Sequence, residues 1–236
     1  MQFKFIITLD AARNVIVEAD IDKLSVDIRG KKTADVLFPE FTEFYCESCR
    51  IKKGRGEDVG ACRAANNIFE LCKYFASTKS IDMIDMTVVQ NNKCISHSTR
   101  KADDALLEIL IVIIAASGCS RFGRVRWAWR YWNYECKPEN LFYNLFSSLL
   151  VLECVTGEGK EPIKRAIELV HQKIAKTQHL IREIIEHVRD DFAFRNADAT
   201  SNALVSIWTI GDIIKLRTDA MIEQLKELIE STQPEA

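Results

Sequence analysis

The 236-residue chain has no apolar run long enough to cross a bilayer. Its longest, Ile109 to Ala116, covers eight residues, where a spanning helix needs about 20. Charge of one sign is also missing. The 32 Lys and Arg against 34 Asp and Glu leave a formal net charge of -2, so there is no bulk attraction to nucleic acid or an anionic membrane. The start, Met1-Gln2-Phe3-Lys4-Phe5, lacks the basic region and long apolar core of a secretory leader, and a cytoplasmic location is expected. Phosphate loops, dinucleotide fingerprints, nucleophile elbows and the zinc-protease His-Glu-x-x-His are absent. Gly54-Arg55-Gly56 and Gly157-Glu158-Gly159 are too short to cradle a phosphate. No repeat of solenoid period is present. These absences point away from membrane insertion and from catalysis.

What is present is an ordinary globular composition, 47% apolar and 28% charged, with eight cysteines. A chain of this size can bury a real core. In a reducing cytoplasm its thiols serve metal ligation or plain burial sooner than a disulfide framework.

Two periodicities divide the chain. Phe3, Phe5, Ile7 and Leu9 alternate, a turn follows at Asp10 to Asn14, and Val15 to Ile21 and Leu24 to Ile28 continue the pattern. This predicts a small antiparallel strand meander. Cys62 opens a helix over Arg63 to Phe75, and Ile81 to Val89 reads as another strand ending at Gln90-Asn91-Asn92. Ala102 to Ser117 is a buried helix, acidic at its start and closed by Gly118. From Glu139 onward the pattern is helical. Ile163, Ile167, Val170, Ile174, Thr177, Ile181, Ile184 and Val188 recur at steps of four and three, a stripe suited to an antiparallel helical pair or to a dimer seam. The expected class is therefore α+β. Residues 1–100 form a β-rich, cysteine-bearing part and 101–232 a helical part, packed as one unit.

The strongest chemical signal is Cys46-Glu47-Ser48-Cys49, with Cys62 after twelve further residues. A Cys-x-x-Cys turn places two sulfurs on one metal without strain, and a third thiol at this spacing can close on it. Cys62 at a helix start also gains from the positive end of the helix dipole. A fourth ligand is needed: Cys119 in Ser117-Gly118-Cys119 is the candidate, with His97 as the alternative. Zinc is the expected ion, in a structural role. A redox Cys-x-x-Cys is the rival chemistry, but the pair precedes a charged, glycine-containing loop rather than sitting in a βαβ setting. Cys72 and Cys154 read as core residues. His171, His179 and His187 are spaced by eight. Each lies about 12 Å along a helix and about 80° around it from the last, so they cannot share one metal and read as flanking or exposed.

Arg121, Arg124, Arg126, Trp127, Trp129, Arg130 and Trp132 crowd into twelve residues. Arginine beside aromatic faces suits base stacking and phosphate contact. It suits equally the anchors of a protein interface, or a packed aromatic core with arginines reaching water.

In this order the motifs resemble a family of uncharacterised bacterial proteins with a strand meander, a Cys-x-x-Cys-Pro knuckle, a Cys-Pro-x-Ala helix start and a buried helix ending in Ser-Gly-Cys-Pro. An aromatic, arginine-containing stretch and C-terminal helices follow. The matches are Cys46-Glu-Ser-Cys49, Cys62-Arg-Ala-Ala65 and Ser117-Gly-Cys119, over roughly residues 1 to 210. Arg50, Arg63 and Ser120 stand where the family pattern has proline, and Tyr131-Trp-Asn-Tyr134 replaces a histidine-bearing stretch. The resemblance implies four thiols, Cys46, Cys49, Cys62 and Cys119, and no known activity. The expectation is a non-enzymatic, zinc-stabilised module binding a protein partner or its own copy. The alternatives are a redox protein using Cys46 and Cys49, or a nucleic-acid binder using residues 121–132.

Overall fold

A computed structural model describes residues 1–30, 44–57, 60–119, 138–156, 161–188 and 197–231. Its strands are β1 (Gln2–Asp10), β2 (Arg13–Asp20), β3 (Ser25–Gly30), β4 (Met83–Gln90) and β5 (Lys93–Lys101). They form one antiparallel sheet in the order β3-β2-β1-β4-β5. Alternation sets the faces. Phe3, Phe5 and Ile7 of central β1 lie opposite Ala19, Val17 and Val15 of β2, and Phe5 and Ile7 also meet Val88 and Met86 of β4. All of these are buried. The opposite face carries charge: Glu18 accepts from Lys4 at 3.0 Å and from Arg29 at 2.5 Å.

Strand β5 is absent from the sequence reading. Its core-side positions Ser96, Ser98 and Arg100 oppose Val88, Met86 and Ile84, so it shows no apolar alternation. Its partner strand and the hairpin turn hold it. Asn91 and Asn92 both adopt left-handed conformations (φ 47° and 66°), the geometry that matches the twist of a two-residue hairpin.

Among the described residues there are six helices: α1 (Glu47–Gly54), α2 (Arg63–Phe75), α3 (Ala102–Ala116), α4 (Pro138–Thr156), α5 (Pro162–Val188) and α6 (Asp198–Ser231). Helix α3 packs against the sheet and against α2 and α6. Every residue from Ala105 to Ala116 is buried, as expected for a helix apolar all round. Helices α5 and α6 run antiparallel. His171 meets Thr218 at 2.8 Å, and Gln178 Nε2 donates to Asp212 Oδ1 at 2.8 Å. Of the predicted stripe, Val170, Ile174, Ile181 and Ile184 are buried, whereas Ile163 is 54% exposed. The α+β class is thus observed, with strands first and most helices after. Among the described residues no helix is long and apolar enough to cross a membrane.

One charge lies inside α3. Glu108 is 3% exposed, and its Oε1 accepts from Arg100 Nη1 of β5 at 2.6 Å. Removing one partner of a buried pair strands the other, at a cost of about 3 kcal/mol or more, whereas an apolar replacement of both is near neutral. Arg100→Met should therefore lower unfolding stability by about 3 kcal/mol, and Arg100→Met with Glu108→Leu should recover most of it. Urea denaturation of the three proteins checks both.

Candidate metal centre

Before the expected Gly54-Arg55-Gly56 turn the cysteine segment forms a helix that the sequence reading lacks, and this matters because two of the three thiols stand at helix starts. Cys46 is the N-cap of α1 and Cys62 the N-cap of α2. N-cap side chains usually accept a hydrogen bond from the first turn. Cys46 makes none, whereas the Cys62 sulfur accepts from the Ala65 N–H of the first turn; both have the extended backbone of a cap. Cys49 sits one turn into α1, on the side of Cys46, and the two sulfurs are 3.6 Å apart. The Cys62 N–H donates to the Phe44 carbonyl at 2.7 Å, which draws the start of α2 against the chain entering α1.

The result is one compact cluster. The sulfurs of Cys46, Cys49 and Cys62 all lie within 4.8 Å of one another and can hold a metal ion. A tetrahedral thiolate site with bonds of about 2.3 Å needs sulfurs roughly 3.8 Å apart, so the donor set fits. Cys46 and Cys62 are buried and Cys49 is half-buried. The Cys46 sulfur beside it, and then burial, push the Cys62 thiol far above the ordinary thiol range. Three thiolates this close would repel one another, and a cation among them would offset that repulsion.

Helix α5 supports the cluster, through residues that sequence reasoning passed over. The Glu183 carboxylate accepts from the Glu47 N–H at 2.7 Å and from Arg50 Nη2 at 2.9 Å. It supplies to α1 the cap that the Cys46 side chain does not. His179 Nε2 lies 2.9 Å from Glu47 Oε2, and the His187 ring packs on Phe44 with centroids 4.9 Å apart. His179, Glu183 and His187 follow at steps of four, so the histidine spacing did mark a working face of α5. His187 is exposed and His179 half-buried, but both contact the cysteine segment.

The remaining expected residues fall elsewhere. Cys119 is half-buried against the core and is not one of the three clustered thiols. His97 stands on the open face of the sheet, bonded to Thr87 Oγ1 at 2.8 Å. Cys72 is fully buried, and burial pushes its thiol up to about 12. Cys154 is exposed on α4 rather than part of the core. The interface candidates Arg121, Arg124, Arg126, Trp127, Trp129, Arg130 and Trp132 lie outside the described residues.

Loss of the remote cap should weaken α1. Glu183→Ala is expected to lower unfolding stability by about 1–2 kcal/mol. The control Glu186→Ala, at an exposed position of the same helix, should stay within about 0.5 kcal/mol. Paired denaturation curves read the difference.

No curated protein and no solved structure matches the chain. A family model described as Domain of unknown function (DUF6901) does match, over residues 1–230. The resemblance to an uncharacterised domain family is thereby confirmed: the chain belongs to DUF6901.

Proposed function

We propose that the chain is a non-enzymatic protein-interaction module stapled by one zinc ion, with Cys46, Cys49, Cys62 and Cys119 as ligands. The observation that carries this reading is the convergence of three sulfurs from two helix starts. Zinc takes soft thiolate ligands in a closed tetrahedron, and such sites contribute folding free energy directly. Cys119 is favoured as the fourth ligand by its tether. Asn67 Nδ2 of α2 donates to Ser117 Oγ at 2.9 Å, which holds the end of α3 beside the helix that Cys62 begins. His97 is the weaker choice, because its ring is on the sheet face away from the buried core. The partner is a protein or a second copy, with the arginine and tryptophan residues of 121–132 as anchors; their composition is the support. Nucleic acid is less favoured at a net charge of -2.

Protein purified without chelator should carry about one zinc per chain, and a strong chelator should lower its melting temperature by about 10 °C or more. Cys62→Ser and Cys119→Ser should lose the ion, whereas His97→Ala should keep it. Fully folded, metal-free protein would sink the proposal.

The 3.6 Å gap between Cys46 and Cys49 sulfurs favours a second reading, a reversible disulfide between them. Against it, the strands among the described residues all pair antiparallel and offer no parallel βαβ unit. Alkylation separates the two: a metal site protects the thiols until chelator is added, whereas a redox pair reacts fast at Cys49 and shows a disulfide after mild oxidation.

A further inference from the structure

We infer that Cys49 is an oxidation site for hydroperoxides, and that its disulfide with Cys46 discharges the metal site and frees α1 from Cys62. The inference rests on the zinc reading above and adds a route by which the ion leaves. Accessibility separates the three clustered sulfurs. Cys46 and Cys62 keep 0% and 3% of their surface accessible, whereas Cys49 is half-buried, so a small oxidant reaches Cys49 first. A metal ligand is held as the thiolate, and an accessible thiolate with a second cysteine beside it is what peroxides oxidise. That second cysteine is in place: the Cys46 sulfur lies 3.6 Å from the Cys49 sulfur.

The reaction has two steps. The Cys49 thiolate attacks one peroxide oxygen and the O–O bond breaks. The other oxygen leaves as water after taking up a proton, and Cys49 becomes a sulfenic acid. The Cys46 thiolate then attacks the Cys49 sulfur: the S–S bond forms, the S–O bond breaks, and a second water leaves. The two sulfurs lose two electrons and the peroxide gains them. Two thiolates are thereby removed from the ligand set, because the thiolate is the form that binds metal. The structural consequence falls on α1. It has no buried residue of its own, and outside the cluster its ties to α5 are those of Glu47 and Arg50 to His179 and Glu183. Helix α2 is held differently. It buries eight residues between Ala64 and Phe75, and the Cys62 sulfur accepts from its own first turn at the Ala65 N–H. Oxidation should therefore loosen α1 and leave α2 in place.

The test treats the full, zinc-loaded chain with hydrogen peroxide, in a variant carrying Cys94→Ser and Cys154→Ser to remove exposed thiols outside the cluster. Zinc content is measured first, then zinc release with a chelating dye, disulfides by peptide mass spectrometry, and amide hydrogen exchange. The expected result is a Cys46–Cys49 disulfide, with about one zinc ion released per bond formed. Amides of 47–54 should exchange about tenfold faster or more, while those of α3 keep their rates. Reductant with added zinc should reverse all three changes. In Cys46→Ser, which lacks the resolving thiol, dimedone should trap the sulfenic acid at Cys49. Zinc retained with the cluster thiols intact, or a disulfide to Cys62 or Cys119 instead, would overturn the inference and leave the zinc reading standing. Zinc missing before peroxide is added would overturn both. Should a variant not fold, disulfide mapping and zinc release on the unsubstituted chain decide.

Discussion

Helix α3 has no side that faces water, and the rest of the architecture follows from hiding it. A fully buried leucine or isoleucine is worth about 1.5–3 kcal/mol over an exposed one, and α3 presents such residues in every direction from Leu106 to Ile114. One flank is met by the core face of the sheet, where Phe5, Ile7, Val17 and Met86 are buried. Another is met by α6, and α2 closes the side nearest β3. Neither the sheet nor the helical layer has a complete core without it. This explains why the one charged side chain in its centre, Glu108, carries a dedicated arginine from the adjoining strand.

The cysteine cluster is built under a different constraint. A helix start leaves backbone donors that need acceptors, and a capping side chain normally supplies one. At Cys46 the side chain makes no cap bond, so the donors of α1 must be satisfied otherwise. For α1 the acceptor comes from 136 residues away, at Glu183. One carboxylate therefore offsets the lost cap, pairs Arg50 and fixes α1 against α5. Any charge placed among the sulfurs acts on a helix whose position the bundle already holds.

Much of this was legible in the sequence, for identifiable reasons. The alternation in β1 and β2, the unbroken apolar run of α3 and the Cys46-x-x-Cys49 spacing each express one strong local rule, and each gave the right element or group. Strand β5 was not legible, because Ser96, Ser98 and Arg100 sit on its core side and its pairing comes from β4 and an Asn91-Asn92 turn. Helix α1 was missed because it is short and basic, with no buried residue of its own. Glu183 was missed because a helical glutamate among many polar neighbours carries no local mark.

The geometry at Ser117 joins these constraints. Its hydroxyl donates to the Ile113 carbonyl at 2.6 Å, inside α3, and accepts from Asn67 of α2 at 2.9 Å. Beyond it Gly118 takes a left-handed conformation (φ 72°), and a Cβ there would lie 3.5 Å from the Leu24 side chain. Leu24 is itself in the left-handed region (φ 57°), a conformation that costs a leucine about 1 kcal/mol or more. It is held in the turn between β2 and β3. The end of the most buried helix is thus fixed from two directions, by α2 and by the sheet. Cys119 is the next residue, so its backbone is anchored before any ligand is considered. Such anchoring lowers the entropy lost when a side chain is recruited to a metal. In the proposed zinc site, this would favour the α3 terminus as the source of the fourth ligand.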